Sequence, residues 1–245
     1  MELLKVFYFL AVGIYVLQRS YVPVFKYQWV VILLSVFLHA YYFFGFNGIL
    51  FLLVAAVITT IAEVVSLTTQ FNIFGVSYKY NLSAKFFPSK IAIAGVYPID
   101  VTAAWMMLKY LSFFMVGFIF SGIPINGVVK AAVTAFALVS FDFLIDPIAI
   151  HIDAWRWKKP GIFFGIPWTN FLGWFIIGFI VSLVFYSLDP IRNYEPIMVI
   201  PVFIVWATFP WVIGREVIKM DKVKGILANI PVVSFLVLGI IKLLV

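Results

Sequence analysis

Residues 127–174 read GVVKAAVTAFALVSFDFLIDPIAIHIDAWRWKKPGIFFGIPWTNFLGW. The apolar run over 127–146 is long enough to cross a bilayer, and it ends on two acids, Asp142 and Asp146. A loop rich in tryptophan, glycine and proline follows, and a second apolar run begins at residue 169. Two such runs joined by a short loop predict a pair of membrane-spanning helices. Carboxylates next to hydrocarbon cost free energy and are usually functional, so this stretch is also the first candidate site.

The composition of the whole chain supports a membrane protein. Hydrophobic residues make up 65% of the 245 residues and charged residues only 11%, whereas soluble domains carry about 25% charged residues. The chain has no cysteine, which excludes disulfides, thiolate catalysis and cysteine-ligated metals. Its two histidines lie far apart in sequence, which argues against a multi-histidine metal site.

Further apolar runs extend the pattern over the full length of the chain. We predict an all-α, polytopic helical bundle of about eight transmembrane helices, forming one transmembrane domain over residues 1–245. Pro98 is expected in the first turn of the fourth helix, which leaves 86–97 as an interfacial or re-entrant piece. Pro147 is expected to end the fifth helix beside its two acids. The predicted spans are 3–18, 29–46, 48–68, 98–120, 127–146, 169–188, 196–214 and 226–244.

The basic residues predict the orientation of this bundle. Alternating the spans places twelve of the 17 Lys and Arg residues on one side and four on the other, with Lys109 inside a span. The positive-inside rule makes the richer side cytoplasmic, in a multi-pass protein of the cell membrane. The net charge of +7 is therefore explained by loops, without a nucleic-acid partner. The twelve residues are Arg19, Lys26, Lys79, Lys85, Lys90, Arg156, Lys158, Lys159, Arg215, Lys219, Lys222 and Lys224.

Half of the ten acidic residues fall at the cytoplasmic end of the predicted spans. They are Glu63, Asp100, Asp142, Asp146 and Asp153. Asp142 and Asp146 are four residues apart and share a helix face, as do Glu63, Ser66 and Gln70. Two close carboxylates cannot both ionise easily, so one is expected to remain a proton donor near pH 7. Arg156 could hold a second carboxylate ionised.

Several of these residues also have structural interpretations. Asp100 follows Pro98 and fits the start of a helix, and Asp153 fits an exposed ion pair with Arg156 or Lys158. Glu63 could be a buried partner of a lysine or arginine. Lys109 either extends to the interface or pairs with an acid. His39 fits a hydrogen-bonded core residue, and Trp155 and Trp157 fit either a headgroup belt or a pocket wall.

Three patches in the middle of the chain, roughly 60–175, form a recognisable pattern. They are Asp142, Asp146-Pro147, Trp155-x-Trp157, Gly161, Phe164-Gly165-x-Pro167, Asn170 and Gly173-Trp174; Glu63 with Phe74-Gly75 and Tyr78-x-Tyr80; and Pro98 ahead of Trp105. This pattern resembles the carotenoid biosynthesis membrane proteins that include the CruF-type carotenoid hydratases and the archaeal bisanhydrobacterioruberin hydratases. The chain departs from the family pattern at Ser66 and Gln70, where glycines are expected.

The resemblance implies a hydro-lyase that adds water to a terminal isoprenoid double bond of a linear carotenoid. Its partners would be a hydrophobic polyene, membrane lipid and water as co-substrate, with no metal and no cofactor. Asp146, Asp142 and Glu63 are the predicted catalytic set, and the sequence does not assign acid and base among them. The predicted substrate-binding residues are Asp100, Tyr78, Tyr80, Trp105, Trp155, Arg156, Trp157, Asn170 and Trp174.

Two other functions remain open at this stage. An enzyme on another polyprenoid, such as an intramembrane prenyltransferase, differs in substrate and would need acids arranged around Mg²⁺. A proton-coupled transporter of lipids or small molecules also uses intramembrane acids, but usually near the midplane and between repeats. The acids here cluster near one face, which favours the hydratase in the cytoplasmic half of the membrane.

Overall fold

The computed structural model describes residues 28–69, 71–188 and 194–245, with side chains for 33–69, 71–186 and 194–245. Within these ranges the chain is a bundle of apolar helices joined by short loops. The predicted span 3–18 and the residues Arg19, Lys26 and Gln70 lie outside the described residues. The helices are α1 Gln28–Phe44, α2 Phe46–Thr68, α3 Ile99–Ile119, α4 Gly127–His151, α5 Trp168–Leu188, α6 Pro196–Thr208, α7 Arg215–Met220 and α8 Lys222–Leu244.

Six stretches within the described part are long and apolar enough to cross a membrane. Five of them are α2, α3, α4, α5 and α8. The sixth, Pro196–Met220, joins α6 and α7 through a π-helical turn, Phe209–Gly214. The helix α1 is apolar but shorter, with 17 residues. The prediction of an all-α polytopic membrane protein is confirmed, and each predicted span within the described ranges has its helix.

Prolines mark two of the differences between predicted and observed helix bounds. Pro98 lies immediately before α3 rather than in its first turn. The prediction that Pro147 ends the fifth helix is wrong, because Pro147 lies inside α4, which continues to His151. A proline removes one backbone hydrogen bond, and packing against neighbouring helices can hold the helix together across that gap. Pro210 lies in the π-helical turn, where the ordinary ladder of backbone bonds is already altered.

Two small antiparallel sheets cover the end of the bundle where α2 and α4 finish. The strand β1, Tyr78–Tyr80, pairs with β4, Trp155–Trp157. The strands β2, Ala92–Ile93, and β3, Tyr97–Pro98, form a second pair just before α3. The predicted interfacial or re-entrant piece, 86–97, is therefore largely a loop and a hairpin. These strands connect loops that are far apart in sequence and fix their position over the helix ends.

Two kinds of contact hold the helices together, close packing at small residues and hydrogen bonds of one histidine. Gly178 of α5 faces Leu138 and Ala135 of α4, and a methyl group at Gly178 would come within 2.9 Å of the Leu138 side chain. Such close approach is typical of packed membrane helices. The Tyr110 hydroxyl donates to His39 Nδ1 at 2.5 Å, and His39 Nε2 donates to the Met198 carbonyl at 3.2 Å. His39 is thus the hydrogen-bonded core residue that the sequence predicted, and it joins α1, α3 and α6.

Candidate active site

The two acids of α4 are buried and share one amide partner. Asp142 is 0% exposed and Asp146 is 3% exposed. The side-chain amide of Asn170, near the start of α5, donates to Asp142 Oδ2 at 3.1 Å and to Asp146 Oδ2 at 2.7 Å. No side chain of the described part donates to Asp142 Oδ1. Two buried carboxyl groups with one neutral donor between them favour a state in which they hold a proton together.

Glu63, on α2, has a different set of partners. Its side chain is 2% exposed, and both carboxylate oxygens accept hydrogen bonds from tyrosine hydroxyls of β1. Tyr78 donates to Oε2, and Tyr80 donates to Oε1 at 3.0 Å. Burial first, and the charge of Glu63 next, raises the pKa of both Tyr78 and Tyr80 well above the ordinary tyrosine value. Both hydroxyls therefore stay protonated and remain donors to the carboxylate.

The β1–β4 sheet explains why the motifs Tyr78-x-Tyr80 and Trp155-x-Trp157 occur together. Tyr78 pairs with Trp157 and Tyr80 with Trp155 in the antiparallel register. Side chains alternate between the two faces of a strand, so these four aromatic residues share one face. The ring centroids of Tyr78 and Trp157 are 4.7 Å apart, and those of Tyr80 and Trp155 are 5.6 Å apart. This face forms an aromatic cover over Glu63.

Arg156 lies between the two tryptophans and therefore points away from them. Its side chain is 68% exposed and forms an ion pair with Asp153, with a distance of 2.5 Å between Nε and Oδ1. The interpretation of Asp153 as an exposed partner of Arg156 is confirmed. The structure does not bring Arg156 to the buried carboxylates, because the strand geometry that turns Trp155 and Trp157 inward turns this residue outward.

Trp105, Lys109 and Trp174 form the wall between α3 and α5. The indole rings of Trp105 and Trp174 stack with centroids 3.8 Å apart and an interplanar angle of 20°. Lys109 Nζ lies 5.1 Å from the centroid of the Trp174 ring and donates a hydrogen bond to the hydroxyl of Thr59. Lys109 is 2% exposed, so it does not extend to the interface. It lies within electrostatic range of Glu63, but among the described residues it forms no direct ion pair with an acid.

The acid pair and Glu63 lie within electrostatic range of each other. Tyr78 donates to Glu63 and also lies within electrostatic range of Asp146. Glu63 in turn interacts electrostatically with both aspartates. The ends of α2 and α4, the start of α5 and the middle of α3 therefore meet beneath the β1–β4 sheet. The site combines buried carboxyl groups, a buried cation and aromatic faces, which suits proton transfer to an apolar substrate.

Asp100 contacts a loop rather than the buried acids. It lies in the first turn of α3, and its carboxylate accepts from the backbone N–H of Ser89 at 3.2 Å and from the Ser89 hydroxyl at 2.6 Å. These contacts match the interpretation of Asp100 as a helix-start residue. His151, the last residue of α4, is exposed.

A seam at Gly173 and Gly75, whose role is not evident from the sequence, positions the aromatic residues. A methyl group at Gly173 would lie 2.7 Å from Phe74 Cδ1, and the Phe74 ring packs 5.0 Å from that of Trp174. Gly75 adopts φ +73° against the side chain of Thr169. The sequence does contain two aromatic–glycine pairs at this point, Phe74-Gly75 and Gly173-Trp174. That the two pairs contact each other depends on the tertiary structure. Ser66, which replaces an expected glycine, accepts from the Ile73 N–H at 3.1 Å and ties this loop to α2.

Comparisons with known proteins agree with these features. The sequence model of a family described as "Carotenoid biosynthesis protein" matches residues 6–240. A bisanhydrobacterioruberin hydratase from Haloarcula japonica is 33% identical over 57 residues, which cover 23% of this chain and 19% of the relative. The chain thus spans a small part of that relative's length in the match. No solved structure matches significantly. The chain belongs to the carotenoid biosynthesis protein family.

Proposed function

We propose that this protein is a carotenoid hydratase, which adds water to a terminal isoprenoid double bond of a linear carotenoid. The observation that carries the proposal is the buried Asp142–Asp146 pair next to Glu63, under a cover of aromatic rings. Family membership and the short match to an archaeal hydratase support the substrate class and the reaction type. The substrate would be a hydrophobic isoprenoid that enters from the lipid.

The proposed reaction is acid-catalysed and neutral in redox terms. A carboxyl group of the site gives its proton to the less substituted alkene carbon, and the π electrons form the new C–H bond. The resulting tertiary carbocation is stabilised by a carboxylate and by aromatic faces. Water adds to the cation through its oxygen, and a second carboxylate takes the surplus proton. The product is a tertiary alcohol, and water is the co-substrate.

The aromatic residues have defined roles in this proposal. Tyr78 donates to Glu63 and its ring packs against that of Trp157, and the stacked rings of Trp105 and Trp174 lie beside Lys109. We assign these four rings to the stabilisation of the carbocation. Asn170 orients the two aspartates from the start of α5. Asp100 and Arg156, two of the predicted substrate-binding residues, make their observed contacts outside this cluster. We place residues 1–245 in a single transmembrane domain of the cell membrane, with the site in the cytoplasmic half.

The first experiment tests the reaction and the acid pair together. Purified protein in lipid is incubated with a linear carotenoid that has unsaturated isoprenoid ends, and mass spectrometry follows the gain of one water. We expect the wild type to show the gain and Asp146→Asn to lose at least about 100-fold in rate, as for removal of a general acid. Asp153→Asn is the matched control, because this acid lies in an exposed ion pair.

Two outcomes would contradict the proposal. If folded Asp146→Asn kept full hydratase activity, the acid pair would not be the catalytic site. If the folded wild type hydrated none of several carotenoids, the substrate would be another polyprenoid, and Mg²⁺-dependent prenyl transfer would be assayed next. Uptake into proteoliposomes driven by a pH gradient would instead favour a transporter.

A further inference from the structure

Lys109 is a buried cation inside the bundle, and its contacts point toward Glu63. Its side chain is 2% exposed, and it lies eleven residues into α3, far from either helix end. In the described part it donates to the Thr59 hydroxyl and lies over the face of Trp174. Thr59 is one helical turn before Glu63 on the same face of α2, which places Lys109 within electrostatic range of the Glu63 carboxylate. A buried ammonium is costly unless a counter-charge or another function compensates for its burial.

The partners of the carboxyl groups divide them into two kinds. Glu63 accepts from two hydroxyls and lies near the cation of Lys109, and all three partners favour its ionised form. The Asp142–Asp146 pair has the single amide of Asn170, and the two carboxyl groups face each other and the negative charge of Glu63. For each aspartate, the negative charge of the other aspartate and that of Glu63 both favour the protonated form of the pair.

We infer that Lys109 is a positioning residue that keeps Glu63 ionised, which makes Glu63 the proton acceptor of the site and the Asp142–Asp146 pair the proton donor. This inference rests on the proposed hydratase reaction and assigns the acid and the base within it. Lys109 acts through Glu63 and does not itself transfer the proton.

The assignment gives a reaction cycle in which every proton is accounted for. The aspartate pair gives its proton to the alkene carbon and is left with one additional negative charge beside the new carbocation. Water attacks the cation with an oxygen lone pair and forms the C–O bond, and one of its protons passes to the Glu63 carboxylate. Transfer of that proton from Glu63 back to the aspartate pair restores the starting state. The sum is one alkene and one water converted to one alcohol.

The groups around Glu63 determine how the site responds to pH. On β1 it accepts from Tyr78 and Tyr80, and Tyr97 of β3 lies within electrostatic range. Burial is the main cause that raises the pKa values of these three tyrosines well above the ordinary tyrosine value. Asp142 and Asp146 of α4 and Lys109 of α3 also lie within electrostatic range of Glu63. The tyrosines therefore do not titrate in the working range. Loss of the Lys109 cation would leave Glu63 near two acids and protonated up to a higher pH.

The test compares pH profiles of hydration for Lys109→Met, Lys109→Arg and the wild type. For Lys109→Met we expect at least a tenfold loss at neutral pH and an acidic limb that moves upward by about one to three pH units, the usual effect of a nearby opposite charge. Lys109→Arg should keep the limb near its wild-type position, because the positive charge remains. Ser112→Ala is the matched control on the same helix, since the buried Ser112 hydroxyl bonds only within α3 among the described residues.

Coupling between the two residues provides a second criterion. In the Glu63→Gln background, Lys109→Met should cause little further loss, because the carboxylate that the lysine serves is already absent. Full additivity of the two losses, or a Lys109→Met profile with an unchanged acidic limb, would overturn the inference and leave Lys109 with a packing role.

A third measurement separates the inference from the proposed function. Infrared difference spectra of wild type and Glu63→Gln identify the absorption of Glu63, and the same band is then followed in Lys109→Met. We expect an ionised carboxylate in the wild type at neutral pH and a protonated carboxyl in Lys109→Met. If this change occurs in a protein that hydrates no carotenoid, only the proposed reaction fails. If hydration is observed but the Glu63 band is the same in both proteins, the role of Lys109 fails.

Discussion

At the scale of single residues, the site depends on how each buried carboxyl group is satisfied. Both carboxylate oxygens of Glu63 accept hydrogen bonds from tyrosine hydroxyls, whereas Asp142 and Asp146 share one donor, the side-chain amide of Asn170. Water competes poorly inside a membrane bundle, so each of these hydrogen bonds carries more of the solvation of its carboxyl group than it would at a surface. Removing one donor should therefore have a measurable effect on both stability and activity.

Tyr78→Phe tests this expectation with an almost unchanged ring. We expect the free energy of unfolding to fall by about 1–3 kcal/mol, since a buried carboxylate oxygen loses its donor. Because the folded-state pKa of Tyr78 is raised, its contribution is fully present below the unfolded tyrosine value, about pH 10, and declines above it. The difference between variant and wild type should thus narrow above pH 10. Chemical unfolding in detergent at pH 7 and pH 11 measures this difference in the free energy of unfolding. If the difference were the same at both pH values, the hydrogen bond from a protonated Tyr78 would not be its cause.

At the scale of elements, the β1–β4 sheet and the loop before it hold the aromatic cover in place. The sheet turns four aromatic rings inward, and the loop that contains Phe74 packs against the first turns of α5. This packing is possible because Gly173 lacks a side chain at the point of contact. The position of Trp174, and with it the stacked pair with Trp105, therefore depends on one glycine.

Gly173→Ala should disturb this seam. The added methyl group would lie 2.7 Å from Phe74 Cδ1 and 3.2 Å from the Ile73 carbonyl oxygen, so the loop must move. Overpacking of this kind costs about 1–3 kcal/mol, and the displaced Phe74 and Trp174 should also lower hydratase activity. Gly127→Ala, where the nearest atom is 3.7 Å away, is the control. Thermal unfolding and the hydration assay compare the stability and the activity of the two variants. If Gly173→Ala were as stable and as active as Gly127→Ala, the contact between Gly173 and Phe74 would not position the aromatic residues.

At the scale of the whole molecule, the three loops that meet near the site share one end of the bundle. Pairing of β1 with β4 joins the connection between α2 and α3 to the connection between α4 and α5. Lys224 at the start of α8 donates to the carbonyl of Ile162 at 3.1 Å, which brings the third loop to the same end. Lys130 and Lys242 lie near the opposite helix ends. The asymmetry of basic residues in the described part thus agrees with the predicted one.

Single cysteines test the proposed orientation, because the natural chain has none. Lys159→Cys places an exposed thiol at the end with the site, and Pro124→Cys places one in the loop between α3 and α4. An impermeant thiol reagent should label Pro124→Cys in intact cells and Lys159→Cys only after the membrane is opened, as the positive-inside rule requires. The reverse pattern would put the site on the outer side.

The amino-acid sequence alone determined the fold class and the described spans. These features are local, because a stretch of about 20 apolar residues must form a helix in hydrocarbon whatever its neighbours are. The spacing of Asp142 and Asp146 fixed their common face, since the helical repeat is also a local property. The motifs Tyr78-x-Tyr80 and Trp155-x-Trp157 each repeat an aromatic residue every second position. Nothing in the sequence indicates that the two strands containing them pair with each other.

Only the tertiary structure decided which partners the charged residues have. Glu63 accepts from Tyr78 and lies within electrostatic range of Lys109, and the acid pair accepts from Asn170. Helix rotation and loop pairing bring these residues together from distant parts of the chain. The strand register turns Arg156 away from the site. The continuation of α4 through Pro147 likewise depends on neighbouring helices. Local periodicity places a residue on an element, but the free energy of burying its charge depends on contacts between elements, and these form only when the bundle packs.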